Sequence, residues 1–259
     1  MSFPQHDSPI APGLLRIRLR LAYEGKAFQG WQSQPEGHAV QDHLEAAFQR
    51  LCGHRIVVHG SGRTDAGVHA LGQVAHVDVP PRPVPPERWK HALNAFLPDQ
   101  IRVLSTARVS ARFHARFSAS GKVYLYRVWN DSSLHPMEVG RAWHLPGRID
   151  GALLEQAARS LEGTHNFAAF AANRGVPVES TVRTVHRIGI RRSGALITLS
   201  FRGNGFLYRM VRLLTGSLMR CAQGRASLDW LRELLEGGGA RKTSFSAPAE
   251  GLYLKRVLY

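Results

Sequence analysis

One run of residues carries most of the chemistry that the sequence suggests: Gly60-Ser61-Gly62-Arg63-Thr64-Asp65-Ala66-Gly67-Val68-His69. A single carboxylate, Asp65, stands two residues after an arginine and between glycines. Glycine permits sharp turns and lets a ligand come close to the main chain. A carboxylate held beside a fixed cation stays ionised at neutral pH, because nearby positive charge favours the charged form. Such a group can act as a nucleophile or a base on a bulky, negatively charged substrate. The same spacing suits a tight turn in which Arg63 and Asp65 only pair with each other, so the loop alone leaves both readings open.

Regular elements must enter and leave this loop. Residues 14–22 alternate, with Leu15, Ile17, Leu19 and Leu21 on one face and Arg16, Arg18 and Arg20 on the other. Period two predicts a half-buried strand whose outer face is a row of arginines, either solvated or facing RNA. Val40, Leu44, Ala47, Phe48 and Leu51 make one stripe of an amphipathic helix over Val40–Cys52, and Gly53 is its stop. Residues 55–59 read as a strand leading into the loop and 71–79 as the strand leaving it. Five prolines within 80–86 make a rigid loop before a helical stretch at 87–96. Strands at 101–109 and 122–129 follow, then a connector over 131–150 with Pro136, Gly140, Pro146 and Gly147. Beyond it the pattern predicts a helix at 151–161, strands at 181–191 and 195–202, a long helix at 206–222, a short one at 228–235 and a final strand at 252–258. Two halves mixing strands and helices in similar order favour α+β layers over a doubly wound sheet. The expected organisation is a disordered tail at 1–13, an N-terminal α/β half at 14–110 carrying Asp65, and a C-terminal α/β half at 111–259.

Composition narrows the partners. Lys and Arg number 34 against 19 Asp and Glu, a formal charge of +15, which points to phosphate backbones. Two cysteines, Cys52 and Cys221, form no short-range pattern, so neither a disulfide framework nor a zinc ribbon is expected, and a reducing cytoplasmic compartment fits. The first 13 residues lack the apolar core of a signal peptide, and no apolar run approaches the ~20 residues of a membrane helix. Thirteen histidines raise the question of a metal. His54, His59, His69 and His76 share no helical i, i+4 pair with an acidic partner, so no metal site is expected. No phosphate-binding P-loop motif is present, and nucleotide hydrolysis has no support.

The chain resembles, nearly end to end, the bacterial tRNA pseudouridine synthases of the TruA type. Tyr23-Glu24-Gly25 and Phe28-Gln29-Gly30-Trp31-Gln32 match the opening motif, followed by Val40-Gln41. Gly60 to His69 matches the signature loop, continuing through Gln73-Val74-Ala75-His76. Ala92-Leu93-Asn94 and Leu97-Pro98 come next, then Phe113-His114-Ala115-Arg116-Phe117-Ser118-Ala119 and Lys122-Val123-Tyr124-Leu125-Tyr126. Gly163-Thr164-His165-Asn166-Phe167, Gly203-Asn204-Gly205-Phe206, Met210-Val211-Arg212 and Gly251-Leu252-Tyr253-Leu254 complete the match. The resemblance implies a mixed, largely antiparallel sheet flanked by helices, with two related α/β halves and a central basic cleft. It implies isomerisation of uridine to pseudouridine at positions 38, 39 and 40 in the anticodon stem–loop of tRNA, after base flipping, by a cytoplasmic homodimer with no metal or organic cofactor.

The essential Asp of the family maps onto Asp65, and the Tyr proposed as the general base for the C5 proton maps onto Tyr124. A single carboxylate could attack C1′, add to C6 of uracil, or remove the C2′ proton, and these routes stay open. Arg63 can pair with Asp65 or enter the space left by the extruded nucleotide, since chemistry on a paired base requires flipping. Leu252 corresponds to the apolar residue near the flipped base, with Leu254 as the competing assignment. Tyr126 reads as a packing aromatic. Arg209 and Arg212, three apart on the long helix, are candidate substrate contacts, and Met210, Leu213, Leu214 and Ser217 its core stripe. Arg183, Arg187, Arg191 and Arg192 flank a strand and could touch phosphate. Glu24 stands where Asp is more frequent, Val77-Asp78 follows His76 where an aromatic is usual, and the loop at 170–177 is less distinctive. The rival readings are a non-catalytic basic RNA-binding protein and a synthase with another RNA target.

Overall fold

The computed structural model describes residues 10, 11, 13–81, 85–173, 175 and 178–259, so the tail at 1–13 and the centres of the loops at 80–86 and 170–177 fall largely outside the described residues. The chain divides into two compact units, residues 1–119 with Tyr259 and residues 120–258. Among the described residues there are ten strands and five α-helices, and the strand pairing is mixed and mostly antiparallel, an α+β architecture.

In the first unit β1 (Leu15–Tyr23) lies between β3 (His69–Val79) and β4 (Ile101–Arg108), antiparallel to both. The apolar face of β1 is fully buried at Leu19 and Leu21. The helix α1 (Val40–Cys52) has the span its pattern predicts, and Gly53 ends it with φ 79°, a left-handed cap. Phe48 of α1 meets Trp89 of α2 (Arg88–Asn94) with ring centroids 5.7 Å apart.

Two details of this unit differ from the sequence pattern. Arg16 does not join the outer arginine row. Asp78 stands opposite it in the β1–β3 register and takes two of its N–H groups at 2.7 Å, and the carbonyls of Ala111 and Phe113 take more. With its donors satisfied the guanidinium is only 6 % exposed, whereas Arg18 and Arg20 are exposed. The strand expected at 55–59 shrinks to β2 (His59–Gly60). At Val58 the main chain bonds to side chains of α1 instead of a ladder: its N–H donates to Glu45 and its carbonyl accepts from Gln41.

In the second unit the strand order is β10 (Leu252–Leu258), β5 (Gly121–Trp129), β9 (Leu196–Gly203), β8 (Val182–Ser193), β7 (Gly163–Asn166), all antiparallel neighbours. The short β6 (Trp143–His144), inside the expected connector, runs parallel to the end of β5. The unit's helices are α3 (Gly151–Ser160), α4 (Met210–Ala222) and α5 (Leu228–Glu236). The helix α4 is buried on nearly every side, including Met210, Leu213, Leu214 and Ser217. It begins at Met210 and not at 206, because Arg209 has φ 58° and cannot continue a right-handed helix. Arg209 and Arg212 therefore do not share a helix face. No helix among the described residues is long and apolar enough to cross a membrane.

Candidate active site

The glycine loop is held by the segment that follows β1. The Tyr23 hydroxyl shares a 2.9 Å hydrogen bond with the Thr64 hydroxyl, one residue before Asp65. Trp31 N–H donates to the Thr64 carbonyl, and Gly25 N–H donates to His69 Nδ1, both at 3.1 Å. From the other side Gln73 Nε2 donates to the Gly62 carbonyl, and Ser61 donates from its hydroxyl to Gln73 Oε1. Within the loop Val68 N–H donates to the Asp65 carbonyl, and Gly67 takes φ 79°.

The two segments approach closely enough to exclude side chains. A Cβ at Gly25 would lie 2.1 Å from the Val68 carbonyl oxygen, and one at Gly30 would lie 2.6 Å from that of Thr64. Burial pushes the Tyr23 phenol up to about 12, outweighing the Thr64 and Gln73 hydrogen bonds, so Tyr23 stays a neutral hydroxyl bridge. Asp65 is half-buried on this frame, while Arg63 is exposed and donates from Nε to Gln32 Oε1 at 3.1 Å. A carboxylate on main chain fixed from both sides can add to carbon or take a proton with little reorganisation.

In the second unit Tyr124 lies on β5 at 9 % exposure, with Phe206 edge-on at 5.2 Å. Leu254 of β10 stands directly opposite Tyr124, and Leu252 stands opposite Tyr126. Tyr126 is fully buried and donates from its hydroxyl to the Pro248 carbonyl, which makes it a packing residue. Arg212 is half-buried and donates from Nε to the Ala247 carbonyl at 2.7 Å. Arg209 is exposed, with its guanidinium 5.2 Å from the Tyr208 ring centroid.

The sequence pattern does not mark Tyr23, Thr64, His69 and Gln73 as supports of the loop. Their types were visible in the motifs, but the pairings link positions 41 and 44 residues apart, which no local pattern reveals. Among the described residues no group of His, Cys, Asp and Glu side chains could hold a metal ion. His59, His76 and His114 instead pack on one another, His76 lying 4.9 Å from His59 and 4.6 Å from His114.

A clamped glycine loop presenting one carboxylate, in an α+β chain of net charge +15, is the equipment of an enzyme acting on a polyanion. Comparison with known proteins makes this specific. The family profile described as tRNA pseudouridine synthase matches residues 21–118 and 157–259. A tRNA pseudouridine synthase A from Akkermansia muciniphila is 45% identical over 253 residues, covering 95% of this chain and 96% of that protein. Proteins of the same name from Methylacidiphilum infernorum and Geobacillus kaustophilus are 44% and 42% identical, covering 93% and 94% of this chain and 94% of each relative. The chain belongs to the tRNA pseudouridine synthase family, isomerases that convert uridine in tRNA to pseudouridine.

Proposed function

We propose that this chain isomerises uridine at positions 38, 39 and 40 of the tRNA anticodon stem–loop, as a cytoplasmic homodimer using no cofactor. Asp65 is the essential group. The bond from uracil N1 to C1′ breaks, the base turns, and a bond from C5 to C1′ forms. The proton lost from C5 is balanced by one gained at N1. Asp65 acts in the bond-breaking stage, by attack at C1′, addition to C6 or removal of the C2′ proton. Tyr124 takes the C5 proton. Arg63 fills the place of the extruded nucleotide, offsetting part of the flipping cost of a few kcal/mol. Leu252 packs near the flipped base, and Arg209 and Arg212 contact the RNA.

One observation carries this reading: the loop 60–69 lies inside the matched family region, held before Asp65 at Gly62 and Thr64 by Gln73, Tyr23 and Trp31 and after it at His69 by Gly25. The test is pseudouridine mapping of unmodified tRNA after incubation with the purified protein. Product at 38–40 is expected. Product at other positions would make this a synthase with another target, and no product would leave a binding protein. Asp65→Asn should abolish turnover while tRNA affinity stays within about tenfold, since phosphate contacts supply most of it. Turnover at the wild-type rate would remove Asp65 from the chemistry.

A further inference from the structure

One face of the second unit's sheet has no part in the reading above. The strands β10, β5, β9 and β8 lie side by side and contain Lys and Arg but no Asp or Glu. Alternation sends Tyr124, Tyr126, Leu199, Phe201 and Ile188 to the core face. On the opposite face the registers align a transverse row: Arg187 opposite Arg202, Arg202 opposite Val123, and Val123 opposite Arg256. All three arginines are exposed. At a strand spacing of about 4.8 Å the row spans about 14 Å.

Two irregularities build this row. In β8 the register shifts between Val185 and Arg187, so Val185 stays fully buried while Arg187 turns outward. In β10 it shifts between Leu254 and Arg256, so Leu254 stays 1 % exposed while Arg256 turns outward. In a regular, unbulged strand, with His186 and Lys255 paired in the ladder, each arginine would share a face with the buried residue two positions before it. Bulges commonly re-aim a side chain in this way. The result has a cost, because like charges directly opposite in an antiparallel pair repel, and the four strands offer no carboxylate to relieve Arg187 and Arg202. Elsewhere on the same face a cation is matched within the protein: Arg127 pairs with Glu138 at 2.7 Å. Beside the row the surface is low, with Gly189 opposite Ser200.

We propose that the row Arg187–Arg202–Arg256 binds the phosphate backbone of the tRNA substrate outside the stem–loop that is modified, on the face of the sheet opposite Tyr124. The proposal rests on the tRNA reading above. Arginine forks match phosphate oxygens in pairs, and an extended polyanion fits a line of cations. A second copy of the chain fits poorly, because a two-fold contact would set this face against itself, arginine against arginine.

The test compares binding of full-length unmodified tRNA and of an isolated anticodon stem–loop, by filter binding across a salt series. In the double variant Arg187→Gln/Arg202→Gln, affinity for full-length tRNA should fall about tenfold, and the salt slope by about two. Affinity for the stem–loop and its turnover should not change. The pair Arg187→Lys/Arg202→Lys, which keeps the charge, should recover most of the loss. Should the Gln pair fail to fold, the single Arg256→Gln variant reads the same row. Unchanged affinity for full-length tRNA would overturn the proposal. So would equal losses on both RNAs, or an altered sedimentation mass with tRNA affinity intact. Binding needs no turnover, so absence of pseudouridine from the wild-type reaction would overturn the proposed function and leave the row to be judged separately.

Discussion

Asp65 is the reactive residue of the proposed site, but the residue on which its position turns is Gly30. Its φ is 91°, which strains any L side chain, and its Cβ position lies 2.6 Å from the Thr64 carbonyl oxygen and 3.1 Å from the Asp65 carbonyl carbon. Both neighbours are main chain, so neither can rotate away. In Gly30→Ala the loop must shift, and a misplacement near 1 Å costs on the order of 100-fold in rate. Turnover should therefore fall about 100-fold or more while tRNA affinity stays within about tenfold. Parallel rate and binding measurements check this, and an unchanged rate would mean that the loop need not be clamped at this point. Nothing local in the sequence marks Gly30 for this role. Gly67, inside the loop, is the more obvious turn residue, whereas Gly30 acts through contacts with residues more than thirty positions away.

At the level of elements, β3 carries a group whose ionisation depends on the fold. His76 is 2 % exposed and accepts from Ala115 N–H at Nδ1. Burial, then the neighbouring His114, Arg16 and His59, lower it to about 3, and Asp78 opposes them only in part. The unfolded value is near 6.5. Below that pH the unfolded chain takes up a proton that the folded one refuses, so stability contributed by His76 is complete above about 6.5 and declines as pH falls toward 3. The urea midpoint should drop between pH 7 and pH 5, and His76→Gln, which retains an acceptor, should show a smaller drop. Equal drops in the two proteins would place the effect elsewhere. Periodicity revealed the elements themselves: α1 has its predicted span, and the expected strands at 14–22 and 71–79 are β1 and β3. It could not reveal that Arg16 turns inward to Asp78, or that Glu45 and Gln41 take over the main chain of Val58, since both depend on partners brought close only by folding. Arg209 shows the same limit, because a left-handed residue at a helix start leaves no hydrophobic signature.

For the molecule as a whole, charge is the property that sequence makes most legible, and it governs how the protein meets RNA. A formal charge of +15 in 259 residues supplies more cations than the ion pairs among the described residues use, and Arg18, Arg20, Arg187, Arg202 and Arg256 are exposed. Each phosphate neutralised by such a residue releases condensed counterions, so affinity falls with salt at a slope of about 0.9 per contact on a duplex. With roughly six contacts, tRNA affinity should fall about 1,000-fold between 50 and 200 mM salt. Asp65→Asn should keep this slope, because a carboxylate displaces no counterions from RNA, and the variant would then separate binding from chemistry. A titration series on both proteins decides it. A loss under about fivefold over that range would mean that shape and base contacts, not phosphates, hold the tRNA, and the basic face of the second unit would need another explanation.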